Sequence, residues 1–361
     1  MKALYLFIKN WTLPTAICVG VTCYLLFAYT PALDGAAAVL GPLFEKLLPL
    51  SIFLTLFVTF SKVDFHLMRL RRWHFSILAL QLLLISVLVA SILFLLPSLT
   101  GEGSGVGPRL LLEALLICVI APCASASPVV TAKLGGDLTQ MTTFVLLSSA
   151  IASLLIPLVF PLIEPHEGAT FVSAFLVILQ RLAAVLLLPL LFGAVVRHWV
   201  RPLYLWFLRT PDLGFYLWSF SLAITAGITM RNILNSAATA MMLVAIAVGS
   251  LVISVVQFGI GRAVGTRLQR PVCCGQAMFQ KNTGLAIWIA YTYLTPIASI
   301  GAGCYVLWQN IINSVEIYCS LRTCPGVMPN LRLKIAEKWE TFLKPTSKHA
   351  SETRRPRLKS S

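Results

Sequence analysis

Polar side chains interrupt two otherwise apolar segments, and their types suit the binding of an ion or a charged solute. The first segment reads Ala-Pro-Cys-Ala-Ser-Ala-Ser-Pro over residues 121–128, with Thr131 three residues later. The second reads Gly-Gln-Ala-Met-Phe-Gln-Lys-Asn-Thr-Gly over residues 275–284. Two prolines remove backbone donors from the first segment and interrupt a helix there. The freed carbonyls, the hydroxyls, the amides and the Lys281 ammonium could bind a small ion or an anion.

The elements that carry these residues are predicted to be transmembrane helices. Of the 361 residues, 58% are hydrophobic and 11% are charged, whereas soluble domains have about half and about a quarter. Apolar runs of about 20 residues predict an all-α polytopic membrane protein with ten spans. The spans are 11–30, 43–61, 75–99, 110–132, 138–163, 171–196, 215–234, 241–261, 272–294 and 296–319.

The distribution of basic residues predicts the orientation of these spans. Gaps on one side carry thirteen Lys and Arg residues, and the other side carries Lys46, Arg109 and Arg231. Both termini are therefore predicted to be cytoplasmic, in a bacterial inner membrane. Because the net charge of +15 follows from this pattern and a basic tail, nucleic-acid binding is not expected. Membrane lipid is the expected partner of the tail, residues 320–361, which includes a basic amphipathic helix near 330–345.

The two interrupted spans occupy matching positions in two halves of the chain. Residues 1–163 hold spans one to five, residues 171–319 hold spans six to ten, and the interruption falls in the fourth span of each. Five spans per half turn the second half upside down. Paired interrupted helices predict an inverted-repeat transporter with its site at the membrane midplane. Polar groups at that depth persist only when they are buried in protein or line a cavity.

These motifs resemble those of the bile acid:sodium symporter family, in its ten-span bacterial type. The matching residues are Ser-Ala-Ser at 125–127, Lys-Leu-Gly-Gly-Asp at 133–137, and Gln-Lys-Asn-Thr-Gly-Leu-Ala at 280–286. The resemblance implies that spans four and nine cross in a core domain while a panel domain moves against it. It also implies symport of an organic anion with sodium. The substrate contacts expected at the crossing are Ser127, Pro128, Thr131, Lys281, Asn282 and Thr283.

The sodium ligands that the resemblance implies are only partly present. The predicted site, for sodium or for an ammonium group in its place, comprises Gln81, Ser127, Thr142, Thr143, Gln276, Gln280 and Lys281. The glutamate that the family carries in span nine is absent, and its position falls on Ala277 or, with a gap, on Gln276. Since hard cations prefer oxygen ligands and compensating charge, we predict no cofactor or at most one Na⁺.

Lys281 is the residue on which the functional hypothesis depends. A charge at bilayer depth is costly unless it is paired or hydrated. One interpretation is a structural ammonium that donates to the carbonyls freed by the broken helix. The other is a counter-ion for an anionic substrate, or a proton-coupled switch.

Arg181, in span six, is expected to snorkel or to pair with Glu113. Trp308, Gln309, Asn310 and Asn313 form a polar stripe that is expected mainly to pack span ten.

Two other functions are compatible with the sequence. The Ala-Pro-Cys sequence at 121–123 is similar to a motif of arsenite permeases, in which a cysteine follows Ala-Pro. The Cys123 thiolate would suit a soft metalloid. A non-transporting receptor or scaffold is the alternative from another class. An enzyme is not expected, because no catalytic nucleophile stands beside a positioned base, and no resident metal is expected. The sequence predicts no particular oligomeric state.

Overall fold

The computed structural model of the chain describes residues 12–62, 68–95, 106–164, 170–210 and 213–323. The described residues form helices and no strand, as predicted. The helices are α1 Thr12–Tyr29, α2 Asp34–Ser61, α3 Arg72–Ala90, α4 Val106–Ile120, α5 Ser127–Lys133, α6 Leu138–Ile163, α7 Phe171–Leu186, α8 Leu188–Trp199, α9 Arg201–Arg209, α10 Leu213–Leu234, α11 Ala240–Arg267, α12 Pro271–Phe279, α13 Thr283–Tyr293 and α14 Pro296–Thr323.

The protein is an integral membrane protein. Five helical stretches of the described chain are long and apolar enough to cross a bilayer: Pro31–Ser61, Arg72–Leu95, Leu138–Ile163, Phe171–Trp199 and Ala240–Arg267. Each of the other five predicted spans coincides with one helix or with a helix pair. Two of these spans are interrupted, so that neither half-helix reaches spanning length alone. The count of ten spans therefore stays a prediction, as do the inverted repeats.

Proline and glycine set several of the helix boundaries. Helices α5, α8, α9 and α12 each carry a proline in their first two positions, where a missing N–H costs nothing. Pro189 thereby divides the predicted sixth span into α7 and α8. Helix α5 ends in a Schellman motif, in which Gly136 N donates to Thr131 O at 2.8 Å and Gly135 N to Ala132 O at 3.1 Å. Gly135 has φ +81°, a conformation that favours glycine.

The helices pack as two bundles that meet along a cleft. The panel bundle comprises α1, α2 and α7 to α10, and the core bundle comprises α3 to α6 and α11 to α14. Each bundle contains helices from both predicted halves of the chain. The bundles contact each other where α6 meets α7, where α10 meets α13 and α14, and where α2 meets α13. Helix α13, the second part of the interrupted ninth span, therefore lies at the boundary between them.

Two predicted membrane-surface stretches have different outcomes. The basic and aromatic stretch at residues 201–213 predicts a second interfacial segment, and α9 covers Arg201–Arg209 with Phe207 buried and Trp206 49% exposed. One buried ring and one exposed ring suit an amphipathic helix that rests on the bundle. The predicted amphipathic helix near 330–345 lies outside the described residues.

Candidate functional site

The two interrupted helices cross through a short backbone bridge. Between α4 and α5, residues 121–126 are not α-helical, and between α12 and α13 the break comprises residues 280–282. Cys123 and Lys281 form an isolated antiparallel bridge. Ala124 N donates to Gln280 O and Asn282 N donates to Pro122 O, each at 2.9 Å. The predicted crossing is confirmed, but the first break lies before Ser127, and Ser127 and Pro128 instead begin α5.

Neighbouring helices satisfy the polar backbone groups that the breaks expose. Cys123 N donates to the Ser148 hydroxyl of α6 at 3.1 Å. Lys281 N donates to Gln309 Oε1 at 3.0 Å, and Gln309 Nε2 donates to Lys281 O at 3.3 Å. The Tyr305 hydroxyl donates to Phe279 O at 2.6 Å, at the end of α12. Because unpaired backbone groups are costly away from water, these contacts explain how both breaks persist at the centre of the bundle.

The Lys281 side chain is buried without a hydrogen-bond partner. Its exposure is 0%, and its Nζ has no hydrogen-bond partner among the described residues. The described ionisable groups that interact with it are the thiols of Cys118 and Cys123. The expectation that this ammonium donates to the freed carbonyls is therefore wrong. Ala124, Tyr305 and Gln309 donate to those carbonyls instead, and the amino group retains its full capacity to bind.

A cleft between the bundles reaches the crossing. Its empty space is about 390 Å³, part of it open to solvent. Helices α2 and α10 of the panel bundle form one wall, and the two breaks form the other. The lining residues are Ile52, Thr55, Leu56, Ala124, Ser125, Trp218, Ser221, Leu222, Thr225, Asn282, Thr283 and Gly284. The cleft thus combines hydroxyl and amide groups at the crossing with a panel wall of four apolar and three hydroxyl side chains.

The predicted substrate contacts lie in two layers, one that lines the cleft and one that is buried behind it. Asn282 and Thr283 line the cleft, and the Asn282 side chain caps α13 by accepting from Leu285 N at 3.2 Å. Ser127, Pro128, Thr131 and Lys281 lie behind them as buried residues. Ser127 accepts from Cys123 Sγ at 3.2 Å, and Thr131 Oγ1 has no hydrogen-bond partner in the described chain. A solute in the cleft would therefore touch the second layer only after the crossing rearranges.

The motif at residues 133–137 forms the turn that reverses the chain between α5 and α6. The Schellman motif at Gly135 and Gly136 ends α5, and Asp137 then caps α6 by accepting from Gln140 N at 3.0 Å. A Cβ at Gly136 would come within 2.5 Å of Thr131 Cγ2 and 3.2 Å of Val272 Cγ1. The second glycine therefore permits close contact between α5 and α12.

The predicted cation-binding residues are not gathered at one point by the described contacts. Gln276 is buried on α12 and Gln280 is buried in the break that follows it, and the Oε1 atom of each has no hydrogen-bond partner in the described chain. The Thr142 and Thr143 hydroxyls donate within α6, to Leu138 O and Thr139 O. In a separate cavity, Gln81 lies with Pro122 and Ser148 between α3, α4 and α6.

A carboxylate that the sequence interpretation missed lies beside Gln276. Gln276 Nε2 donates to Glu316 Oε2 at 2.7 Å and to Asn313 Oδ1 at 2.9 Å. Glu316 also forms an ion pair with Arg262 of α11. The signal for this cluster was present, because Gln309, Asn313 and Glu316 follow the i, i+4, i+7 spacing of one helix face. Span ten therefore contacts span nine through a polar face that ends in an acid.

Arg181 and Glu113 do not pair with each other. Glu113 accepts from Arg109 Nε at 2.9 Å, and the Arg181 guanidinium lies 6.0 Å from the centre of the Tyr293 ring.

A second missed cluster joins the bundles at the same end of α13. Arg231 Nη1 lies 2.7 Å from Glu45 Oε1, and its guanidinium lies 5.2 Å from the centre of the Tyr291 ring. The Tyr291 hydroxyl donates to Glu45 Oε1 at 3.4 Å.

Interrupted helices that cross at the centre of a membrane bundle, beside a cleft between two bundles, define a class of secondary transporter. The comparison with protein families agrees with this class. Residues 15–312 match the SBF-like CPA transporter family, and the chain belongs to that family. The resemblance to bile acid:sodium symporters is thereby confirmed. No curated protein matches the chain.

Proposed function

We propose that this protein is a secondary transporter of an organic anion, with ten spans and with alternating access around the crossing. The observation that carries the proposal is the buried Lys281 ammonium, which has no described carboxylate partner and lies directly behind the cleft. A charge at this depth requires a counter-charge or hydration. An anion that enters the cleft provides the counter-charge during the transport cycle.

Two further features of the cleft support an anionic substrate. The amino end of α13 faces it at Thr283 and Gly284, and helix amino termini favour anions. The opposite wall presents Ile52, Leu56 and Trp218, which suit an apolar body attached to the charged group. The substrate is therefore an amphipathic anion, with its charged group at the crossing and its apolar part against the panel bundle.

We propose that the Glu45–Arg231–Tyr291 cluster closes one end of the cleft. Glu45 precedes the cleft residues on α2, and Arg231 follows the cleft residues on α10. Both therefore lie on one side of the cleft, and both contact Tyr291 of the core bundle. Alternating access requires these contacts to break when the panel and core bundles move apart at this end.

Sodium coupling is not needed for this mechanism. Lys281 supplies a positive charge at the crossing when it is protonated, and the only carboxylate that contacts Gln276 in the described chain already pairs with Arg262. Bound sodium would add a second positive charge near Lys281 without a dedicated acid to offset it. We propose that uptake depends little on sodium.

The experiment is thermal denaturation of the detergent-purified protein with a panel of carboxylates, sulfonates and organic phosphates, each with and without sodium. A ligand that binds the folded state raises its thermal stability by mass action. We expect at least one amphipathic anion to stabilise the parent protein, in sodium or in choline alike, and to have no effect on Lys281→Met. Stabilisation by neutral analogues, or equal stabilisation of Lys281→Met, would contradict the proposal.

A further inference from the structure

The backbone on either side of the Lys281 Cα is hydrogen-bonded to the first break on one edge and to α14 on the other. In an antiparallel bridge, the directly opposite residues project their side chains to the same face. Here the bonds to the first break are made by Gln280 O and Asn282 N. The N–H and C=O of Lys281 itself therefore point the other way, towards α14. Gln309 of α14 pairs with both of them, at 3.0 and 3.3 Å.

The Gln309 side-chain amide thus takes the place of a third strand. A primary amide carries one acceptor oxygen and donor hydrogens, the same groups that the next peptide of a sheet would present. Gln309 is 1% exposed, so water does not compete for these bonds. One turn earlier on α14, the Tyr305 hydroxyl donates to Phe279 O and accepts from Gln257 Nε2 at 3.0 Å. The second break is therefore supported on both sides of Lys281.

We infer that Gln309 is a positioning residue that holds the two peptide groups on either side of the Lys281 Cα and thereby aims its ammonium at the first break. With the N–H and C=O of Lys281 committed to α14, the side chain is confined to the face that it shares with Cys123. Without the Gln309 amide, Lys281 N would be unpaired at membrane depth, and Lys281 O would keep only its bond from Thr283 N at 2.9 Å. The backbone at Lys281 would then be held only by the first break and by Thr283, and the side chain would be free to tilt away from Cys123.

The functional meaning of this inference rests on the proposed role of Lys281, but its geometry can be measured without a substrate. The probe is a Lys281→Cys variant labelled with a membrane-permeant maleimide, with each labelled site identified by mass spectrometry. Position 281 is fully buried, so labelling with the native Gln309 should be slow. Adding Gln309→Leu should accelerate it by about tenfold or more, because reactivity of a buried group follows local opening.

Two controls separate positioning from general loosening. Cys274 is 0% exposed on α12, the half-helix that precedes the break, and its labelling should stay slow in every variant. Trp308→Phe removes a neighbouring α14 bond, from Trp308 Nε1 to Ala247 O at 3.0 Å, and should leave labelling at position 281 unchanged. Gln309→Glu keeps the acceptor for Lys281 N and should give an intermediate rate. Equal rates with Gln309 and with Leu would overturn the inference, as would faster labelling of Cys274.

Transport then distinguishes this inference from the proposed function. In the otherwise native protein, Gln309→Leu should raise the KM for the stabilising anion more than it lowers kcat, because the misplaced ammonium weakens binding. Trp308→Phe should change neither value. If Lys281→Met transports normally while Gln309→Leu still exposes position 281, the proposed function fails and the positioning role stands. A lower kcat with an unchanged KM would reject the positioning role.

Discussion

The two breaks at the crossing share a backbone arrangement and differ in charge. In each predicted half, the last helix supports the break: Ser148 of α6 accepts from Cys123 N, and Gln309 of α14 pairs with the Lys281 peptide. The first break presents a thiol that donates to Ser127. The second presents an ammonium group without a described hydrogen-bond partner.

This difference separates what the fold requires from what the function requires. Any break at membrane depth must have its backbone groups satisfied, and both breaks meet that condition. The first break persists with neutral side chains. The proposed function assigns the charge of Lys281 to a ligand, and the predictions below test that asymmetry between the two breaks.

The largest expected effect is loss of transport on removal of the charge from the second break. Lys281→Met keeps an unbranched side chain of similar length. Loss of one partner of a buried charged contact costs about 2–5 kcal/mol, so the KM for the stabilising anion should rise by about thirtyfold or more. The measurement is anion uptake into sealed vesicles that contain the purified variant.

The matched control is Cys123→Ala, which changes the opposite residue of the same bridge. It removes a thiol without changing charge, and uptake of the anion should remain close to that of the parent. The reverse result, with transport lost on Cys123→Ala and retained on Lys281→Met, would favour the metalloid alternative.

The second prediction concerns sodium. Sodium should become a coupling ion only when substitutions at the second break remove the positive charge and add a carboxylate. Uptake by the parent should be similar in sodium and in choline. Lys281→Gln alone should not create sodium dependence, because no carboxylate is added. The double variant Lys281→Gln with Gln276→Glu places a second acid against Glu316, and two adjacent carboxylates attract a cation.

Uptake by the double variant should rise by about fivefold or more in sodium, the range of typical coupling energies. Ala277→Glu in place of Gln276→Glu tests the other position on which the family's glutamate could fall, and only the variant at the right position should gain sodium dependence. A parent protein whose uptake collapses in choline would show that Lys281 has not replaced the ion.

The sequence predicted the helices and the two breaks because these depend on local patterns, whereas the crossing was implied by the family resemblance. Apolar run length located helices close to their observed bounds, and clustered prolines and polar residues located both breaks. The partners of Lys281 could not be predicted in the same way. Whether the freed carbonyls bind Lys281 or Gln309 depends on which side chain of α14 faces the break, and this is decided by packing between segments 28 residues apart.

Two sets of contacts that involve acidic residues were not predicted from the sequence, for a related reason. The Glu316–Gln276 contact and the Glu45–Arg231–Tyr291 cluster join helices that are distant in sequence. Charge counting assigned Arg231 to one side of the membrane at the end of span seven and did not identify its partners, although it is only 25% exposed. A search for helical spacing that included acids would have placed Glu316 on the face of Gln309. It would not have identified Arg262 as its partner.

A moderate effect is expected where the bundles meet at the end of α13. Glu45→Gln removes the ion pair with Arg231 and weakens the contact to Tyr291. Partly exposed ion pairs contribute up to about 1 kcal/mol, so the closed state should lose up to about fivefold in population. The measurement is labelling of a Ser125→Cys variant by an impermeant maleimide added on the side where α2 begins.

The control for that measurement is Glu164→Gln, which weakens a contact with Arg109 inside the core bundle. It should leave labelling at position 125 unchanged. Equal acceleration by both variants would mean that loss of charge, and not separation of the bundles, controls access to the cleft.

The smallest effect on transport is expected at the glycine turn that follows the first break. Gly135→Ala places a side chain at φ +81°, which costs about 1–2 kcal/mol, and should lower the thermal denaturation midpoint of the purified protein. Gly41→Ala is the control with the opposite sign, because a Cβ there meets nothing within 4 Å and alanine favours the interior of α2. The KM for the anion should be unchanged in both variants. A KM that rises in Gly135→Ala alone would show that the turn after the first break contributes to binding, and the functional asymmetry between the two breaks would then be smaller than the position of Lys281 implies.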